Sequence, residues 1–356
     1  MHRSRIPVPS GGDSLRPLDV CPSQKDPGSP LFRTRASSRP DRLAATPDAL
    51  DWDRSREFRG PPAPEGGCRG RLFGNRSSMP WKYTDEYYRE YTRTTWNASA
   101  KAYVDWMRNL EPFRSALVSR LDPKPGEKVL DLGTGPGEPA ISIAREVGPQ
   151  GHVTGVDLSE NMVSIATQVG RARGLQNVEF LTMDCAALSF ASASFDAAVS
   201  SFGFQIFTDP EKAAREAYRV VRPEGRICVS VWSTGDRVQS LDAIIAPMLE
   251  RAEPDETGYL PTPYETGGPG EMVAFLQAAG FRDGREEHLQ HLMQVASVED
   301  YLQSILEATP IGHSLSEEDP AVQQEILRET RENLRKWETP RGLSIPAECV
   351  IVSAVR

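Results

Sequence analysis

Apolar residues in the middle of the chain form short runs, which alternate with stretches where apolar positions recur at helical spacing. Short runs bounded by glycine, proline or polar residues predict buried strands, and the amphipathic stretches predict helices. The predicted strands cover residues 128–133, 152–157, 178–184, 195–202 and 226–232. Strands and helices that alternate at this spacing predict a parallel sheet with helices on both faces.

The helices between these strands are predicted over residues 138–147, 159–174 and 209–221. Two of them begin with capping signals. Ser159 is a capping-type residue. Asp209, Pro210 and Glu211 supply a cap, a first-turn proline and an acid near the positive end of the helix dipole.

After residue 233, strands and helices no longer alternate at this regular spacing. Helices are predicted over 241–251, 271–279, 298–308 and 320–337, and strands over 286–295 and 347–355. A loop rich in Pro, Gly and Tyr covers 254–270. This part predicts two further strands of the sheet, with helical insertions around them.

The first 78 residues have a different composition, rich in Arg, Pro, Gly and Ser and without apolar periodicity. Such a segment buries too little surface to offset its ordering entropy, which predicts a disordered tail. An over-extended reading frame with its natural start at Met79 is an alternative, whereas the many acids argue against an organelle transit peptide. The expected parts are therefore 1–78 (tail), 79–120 (helical cap), 121–235 (core) and 236–356 (insertions and last strands).

Composition narrows the classes of partner. The 356 residues carry a net charge of −9 without a basic stripe, so nucleic acid is not an expected partner, and no apolar run is long enough for a membrane span. The five cysteines and five histidines show no metal-type spacing, so no metal is expected. Unpaired cysteines in apolar runs indicate a reducing compartment, and hence the cytoplasm.

The strongest local motif is a glycine-rich turn after the first strand, with Asp131 followed by Gly133, Gly135 and Gly137. Glycines let the backbone turn tightly and approach a ligand, and the following helix presents its positive end there. The dinucleotide fingerprint requires its third glycine at position 138, where this chain has Glu138. The turn therefore predicts a nucleotide site and disfavours a nicotinamide-dependent reductase.

Polar residues also follow the next three strands. Asp157 is placed to accept the two hydroxyls of a ribose, and Asp184 to accept an adenine amino group while the Cys185 backbone reads the ring. Ser200 and Ser201 end the fourth strand. All of these positions lie at carboxyl ends of predicted parallel strands, the edge where open α/β sheets bind ligands.

The stretch 127–232 resembles the class I S-adenosylmethionine-dependent methyltransferases, especially the ubiquinone and menaquinone biosynthesis C-methyltransferases. Residues 129–137 resemble their first motif, and Asp157 and Asp184 match their ribose and adenine acids. Residues 219–226 resemble their turn into the fifth strand, with Glu224 where the first glycine is usual. The resemblance implies a doubly wound, Rossmann-like α/β fold, a mostly parallel seven-stranded sheet with an antiparallel last strand, and S-adenosylmethionine as cofactor.

Two sets of binding residues are predicted on this basis. The cofactor set is Asp131, Gly133, Thr134, Gly135, Pro136, Gly137, Asp157, Leu158, Met162, Asp184, Cys185, Ser200 and Ser201. The acceptor set is Trp96, Tyr103, Phe202, Gln205, Tyr264 and Tyr301. Aromatic side chains in the cap are expected either to pack it onto the sheet or to cover the cationic sulfur.

Methyl transfer from a sulfonium is an in-line displacement, for which alignment and exclusion of water are sufficient in principle. An oxygen or neutral nitrogen acceptor would profit from a base, for which His313, in a predicted lid, is the candidate. His288 and His291 are an odd number apart on a predicted strand, so at most one faces a site. The predicted function is methylation of a small lipophilic or aromatic metabolite. A non-catalytic, cofactor-binding subunit that activates a partner enzyme is the alternative, and a homodimer is left open.

Overall fold

The computed structural model describes residues 85–251, 263–264 and 266–356, without the side chains of residues 85, 87 and 88. The predicted tail over 1–78 and the loop residues 254–262 lie outside the described residues. Within the described part, no helix is both long enough and apolar enough to cross a bilayer.

The elements match the predicted alternation. The helices are α1 (Asp85–Trp106), α2 (Glu111–Leu121), α3 (Ala140–Val147), α4 (Glu160–Ala172), α5 (Pro210–Val220), α6 (Gln239–Leu249), α7 (Glu271–Ala278), α8 (Val298–Ala308), α9 (Pro310–Ser316) and α10 (Pro320–Arg335). The strands are β1 (Lys128–Leu132), β2 (His152–Asp157), β3 (Val178–Thr182), β4 (Phe195–Ser201), β5 (Val221–Trp232), β6 (Arg282–Val295), β7 (Glu338–Thr339) and β8 (Gly342–Val355).

The sheet has the order β3-β2-β1-β4-β5-β8-β6, with the short β7 paired to β8. Strands β1 to β5 are parallel, and β8 runs antiparallel between β5 and β6. This confirms the predicted mostly parallel, Rossmann-like sheet with an antiparallel last strand. The two-residue β7 is an addition to the seven expected strands.

Side chains alternate between two cores on the two faces of the sheet, as the period of two in a strand requires. Val129, Val199 and Cys228 belong to the core that includes residues of α2 and α3. Leu130 and Ala198 belong to the core under α5 and α7. Residue parity in a strand therefore decides which helical layer a site residue faces.

The structure contains both predicted helix caps. Ser159 Oγ accepts the Met162 N–H at 3.1 Å, and Asp209 Oδ1 accepts the Lys212 N–H at 3.0 Å. The segment around residue 313, where a lid was predicted, forms the short helix α9, capped by Thr309, whose Oγ1 accepts the Ile311 N–H at 3.3 Å. This Thr-Pro start is the same signal as Asp209-Pro210, applied to a helix too short for its periodicity to show.

Strands β6 and β8 extend beyond the carboxyl end of β5. The last pairing of β5 joins Trp232 to Cys349, whereas β8 begins at Gly342 and stays paired with β6 up to Val295. The two strands therefore form a ribbon above the carboxyl edge of the sheet, on the side where β4 and β5 end.

Candidate active site

The glycine turn after β1 shapes the floor of the site. Gly135 has φ of 54°, and a Cβ there would lie 3.8 Å from Tyr103 Cε1, in ordinary contact distance. Gly137 has φ of 108°, and a Cβ would approach Ile141 Cδ1 to 2.8 Å and Ala166 Cα to 3.2 Å. Gly137 therefore serves the packing of α3 against α4, whereas Gly135 leaves backbone open toward the site.

Asp131 is a buried carboxylate that the protein satisfies on one side. Its Oδ2 accepts Thr134 Oγ1–H at 2.7 Å and the Ala140 N–H at 3.2 Å, while Oδ1 has no hydrogen-bond partner among the described residues. Burial, opposed by these bonds, raises the pKa of Asp131 to about 7. A buried oxygen of this kind calls for a donor from a ligand.

Asp157 ends β2 and faces the glycine turn. Its Oδ2 accepts the Gly135 N–H and its Oδ1 accepts the Ser159 N–H, both at 2.9 Å. Burial raises the pKa of Asp157, against these backbone bonds. A carboxylate has about four lone-pair sites, so each oxygen retains the capacity to accept a further hydroxyl.

Asp184 and Cys185 follow β3. Asp184 Oδ1 accepts the Ala186 N–H and its Oδ2 accepts Arg89 Nε–H, both at 2.8 Å. Cys185 is buried, and its pKa is raised by burial first and by the carboxylates of Asp157 and Asp184 next. The thiol is therefore neutral and lies close to Asp157 and Asp184, so the ends of β2 and β3 meet at this edge.

Helix α1 lies over this edge and supplies two of the predicted aromatics. Tyr103 lies against Gly135, and burial raises its pKa to about 12, with a contribution from the charge of Asp157. Trp96 meets the Tyr103 ring edge-on with 5.3 Å between centroids. The structure thus places Trp96 and Tyr103 next to the predicted cofactor residues.

The end of β4 separates its two serines. Ser200 Oγ–H donates to the Leu132 carbonyl at 2.8 Å, so this hydroxyl is used in holding β4 against β1. Ser201 has the parity of Val199 and lies on the face of the sheet that Asp131 shares. Leu158 is half-buried and Met162 is buried in α4.

An aromatic cluster lies where β4 and β5 end. The rings of Phe202 and Trp232 are 4.3 Å apart, and Phe113 meets them edge-on at 6.1 and 5.7 Å. Gln205 Oε1 accepts the Trp232 N–H at 2.8 Å, which ties the loop after β4 to β5. His291 adds an edge-on ring at 6.0 Å from Phe113. Sequence reasoning missed Phe113 and Trp232 as site residues.

The remaining predicted residues lie among the helices. Tyr301 is completely buried, meets Trp106 edge-on at 5.7 Å, and donates its hydroxyl to the Ser240 carbonyl. Tyr264 is half-buried beside Gly235. His313 lies in α9 with its ring 5.4 Å from Tyr91 and its Nε2 3.3 Å from Glu317.

The two histidines of β6 face opposite sides, as their spacing requires. His291 contacts Phe113, whereas His288 bonds to Glu348 and Glu286 on the other face. Over the residues that the structure describes, no group of three His, Cys, Asp or Glu side chains is arranged to hold a metal ion.

Comparison with known proteins bears directly on this site. Residues 129–225 match the family described as a methyltransferase domain. The chain is 34% identical over 199 residues to nocamycin O-methyltransferase of Saccharothrix syringae, covering 53% of this chain and 71% of that enzyme. It is 42% identical over 169 residues to a demethylmenaquinone methyltransferase of Thermus thermophilus, covering 44% and 76%.

This chain belongs to the S-adenosylmethionine-dependent methyltransferase family. A methyltransferase structure from Aquifex aeolicus is also similar, with a TM-score of 0.39 and 25% identity over 49% of this chain and 81% of that one. The site suits the family's cofactor: Asp131 Oδ1 is a buried acceptor without a partner among the described residues. Such an oxygen matches an ammonium group, and Asp157 matches ribose hydroxyls.

Proposed function

We propose that this methyltransferase acts on a small lipophilic or aromatic metabolite by in-line displacement. The observation that carries the proposal is the pair of Phe202 and Trp232 rings at the ends of β4 and β5, with the buried Phe113 ring packed edge-on against both. Aromatic rings bind planar apolar molecules through contact area and edge-to-face geometry. The names of the two relatives, for nocamycin and demethylmenaquinone, support a small-molecule acceptor.

The carboxylates are assigned to the parts of the cofactor. Asp157 accepts hydrogen bonds from the ribose hydroxyls, and Asp184 accepts one from the adenine amino group beside the Cys185 backbone. Asp131 accepts hydrogen bonds from the ammonium group of the methionine part. Their location at the ends of three adjacent strands supports this assignment. The other predicted cofactor residues, Thr134, Pro136, Leu158, Met162, Ser200 and Ser201, remain predictions.

The bound cofactor supplies an electrophilic methyl group on a positively charged sulfur. The protein has to align the acceptor with it and keep water out, which supplies a large part of the rate. Tyr103, which lies against Gly135, is proposed to attract the cation through its ring, a contribution of about 0.5–2 kcal/mol.

His313 stays the candidate base for an oxygen or neutral nitrogen acceptor. Its ring lies beside Tyr91 of α1, the helix that also carries Trp96 and Tyr103. If His313 acts as a base, His313→Asn lowers kcat while S-adenosylhomocysteine affinity stays the same. Homodimer formation and a cytoplasmic location remain predictions.

Transfer of a labelled methyl group to a panel of acceptors tests the proposal. Phenols and hydroquinones are expected to accept label, and highly charged acceptors are not. Phe202→Leu should raise the acceptor KM by about five- to tenfold without changing affinity for S-adenosylhomocysteine. Phe190→Leu is the control, because Phe190 packs on the opposite face of the sheet. Preferential methylation of charged acceptors would contradict the proposal.

A further inference from the structure

Three polar side chains form a stripe along the amino-terminal half of α1. Arg89, Arg93 and Asn97 follow one another at intervals of four residues, so they lie on one face of the helix. Each of them contacts a segment that follows β2 or β3, the segments that carry Asp157 and Asp184.

Asn97 is the most extensively bonded of the three. Its Oδ1 accepts Ser159 Oγ–H at 2.6 Å and the Asn161 N–H at 3.1 Å, and its Nδ2 donates to Glu160 Oε2 at 2.8 Å. Arg93 Nη1 donates to both oxygens of Glu160 at 3.0 Å. The stripe therefore fastens α1 to the amino end of α4, directly after Asp157.

Arg89 makes the third connection, one turn nearer the start of α1. Its Nε donates to Asp184 Oδ2 at 2.8 Å, with side-chain exposure of 47% for Arg89 and 17% for Asp184. A pair that exposed contributes little to the stability of the fold, about 0–1 kcal/mol. It does hold α1 directly against the carboxylate assigned to adenine.

The two halves of α1 differ in how they are anchored. Toward the carboxyl end, Ala100 and Trp106 are buried, and Tyr103 lies over Gly135. The contacts of the stripe are polar and partly exposed to solvent. Opening the amino-terminal half therefore breaks mainly polar contacts, besides the ring contact of Tyr91 with His313 of α9, which is characteristic of segments with low local stability.

We propose that Arg89, Arg93 and Asn97 form a clasp that closes the cofactor site and sets the rates at which the cofactor enters and leaves. The inference rests on the proposed roles of Asp157 and Asp184. In this proposal the clasp forms with and without bound cofactor, so passage in either direction requires it to open. Its removal lowers the barrier for entry and exit alike and leaves the dissociation constant nearly unchanged.

Stopped-flow tryptophan fluorescence, to which Trp96 and Trp106 of α1 contribute, measures these rates with S-adenosylhomocysteine as the ligand, and calorimetry gives the dissociation constant. For the double variant Arg93→Ala/Asn97→Ala, association and dissociation rates should both rise about tenfold. The dissociation constant should change less than about threefold. Arg108→Ala is the matched control, because Arg108 is exposed and forms an ion pair with Asp105 near the carboxyl end of α1.

A charge swap between Arg93 and Glu160 provides a second test if the double variant folds poorly. Arg93→Glu should raise both rates, and adding Glu160→Arg should bring them back toward the wild-type values. Unchanged rates, or a faster dissociation with a matching loss of affinity, would overturn the clasp. Asp157→Ala separates this failure from that of the proposed function, since it should weaken affinity through dissociation alone.

Discussion

Two groups of buried or half-buried carboxylates lie at the same sheet and differ in what they bond to. Asp131, at the end of β1, has a buried oxygen without a partner among the described residues, and Asp157, at the end of β2, accepts backbone N–H groups of the adjoining turns. Glu348 in β8 instead accepts Ser233 Oγ–H at 2.9 Å and a bond from His288 Nδ1 at 3.1 Å. Glu286 accepts bonds from His288 Nε2 and the Gly270 N–H, both at 3.0 Å.

This difference separates carboxylates that are suited to binding a ligand from carboxylates that stabilise the fold. Glu348 and Glu286 hold elements together, here β5, β6, β8 and the start of α7. A buried carboxylate oxygen without a partner, such as Asp131 Oδ1, carries a desolvation cost that a donor from a ligand offsets. Substitution of Glu348 should therefore lower stability and leave cofactor affinity unchanged, whereas Asp131→Asn should lower affinity without lowering stability.

The largest expected effect is loss of stability on the structural side. Glu348→Ala removes two bonds from a carboxylate that is 8% exposed and leaves Ser233 and His288 without their acceptor. We expect the free energy of unfolding to fall by about 2–3 kcal/mol, measured by denaturant titration, with unchanged affinity for S-adenosylhomocysteine. Glu338→Ala, at an exposed position, is the control. A loss of affinity without loss of stability would remove the distinction between the groups.

Asp131→Asn should instead weaken cofactor binding without lowering the free energy of unfolding. The asparagine keeps an oxygen for Thr134 and Ala140 and removes a buried charge. Because the folded pKa of about 7 is raised above the ordinary value of 3.8, the ionised carboxyl destabilises the fold, increasingly as pH rises from about 4 to about 7. Above that range the variant should be more stable than the wild type and bind S-adenosylhomocysteine about tenfold or more weakly.

The same pKa predicts a pH dependence of binding. In the wild type an ammonium group favours the ionised form of Asp131, so affinity should rise with pH up to about 7 and then level off. Calorimetry in buffers of different ionisation enthalpy should detect proton release near neutral pH. In Asp131→Asn this component of the pH dependence should disappear, and its persistence would assign it to another group.

The smallest expected effect concerns His288. Hydrogen bonds to Glu286 first and Glu348 next raise its pKa above the ordinary 6.5. A raised histidine pKa stabilises the fold below about pH 6.5, and this contribution is lost as pH rises through the folded pKa. His288→Gln should therefore be less stable than wild type at about pH 6, by at most about 1 kcal/mol, and nearly equal at about pH 8.5. An equal deficit at both pH values would contradict this interpretation.

The placement of the acids at the strand ends could be predicted from the sequence because it depends on local patterns. Asp131, Asp157 and Asp184 each end a strand whose pattern is clear, and parallel pairing brings them to one edge. The β strands were predicted to within a few residues, except where β5, β6 and β8 begin earlier than their apolar cores.

The acceptor side could not be predicted in the same way. Phe113 and Trp232 meet although they lie far apart in the chain, and an aromatic residue in an apolar run carries no sign of that meeting. Tyr301 was expected there by residue type, yet tertiary packing buries it against Trp106. The spacing of Arg89, Arg93 and Asn97 is visible in the sequence, whereas their partners on α4 and after β3 are not.

Calorimetric titration of the full chain with S-adenosylhomocysteine, compared with Asp157→Ala, tests the central claim most directly. Wild type should bind with a micromolar or lower dissociation constant, and the variant should bind more than about tenfold more weakly, with circular dichroism showing both to be folded. Glu179→Gln, a substitution of an exposed acid in β3, should bind like wild type. Folded wild type without micromolar binding, or an Asp157→Ala variant with unchanged affinity, would contradict the assignment of the carboxylate edge as the cofactor site.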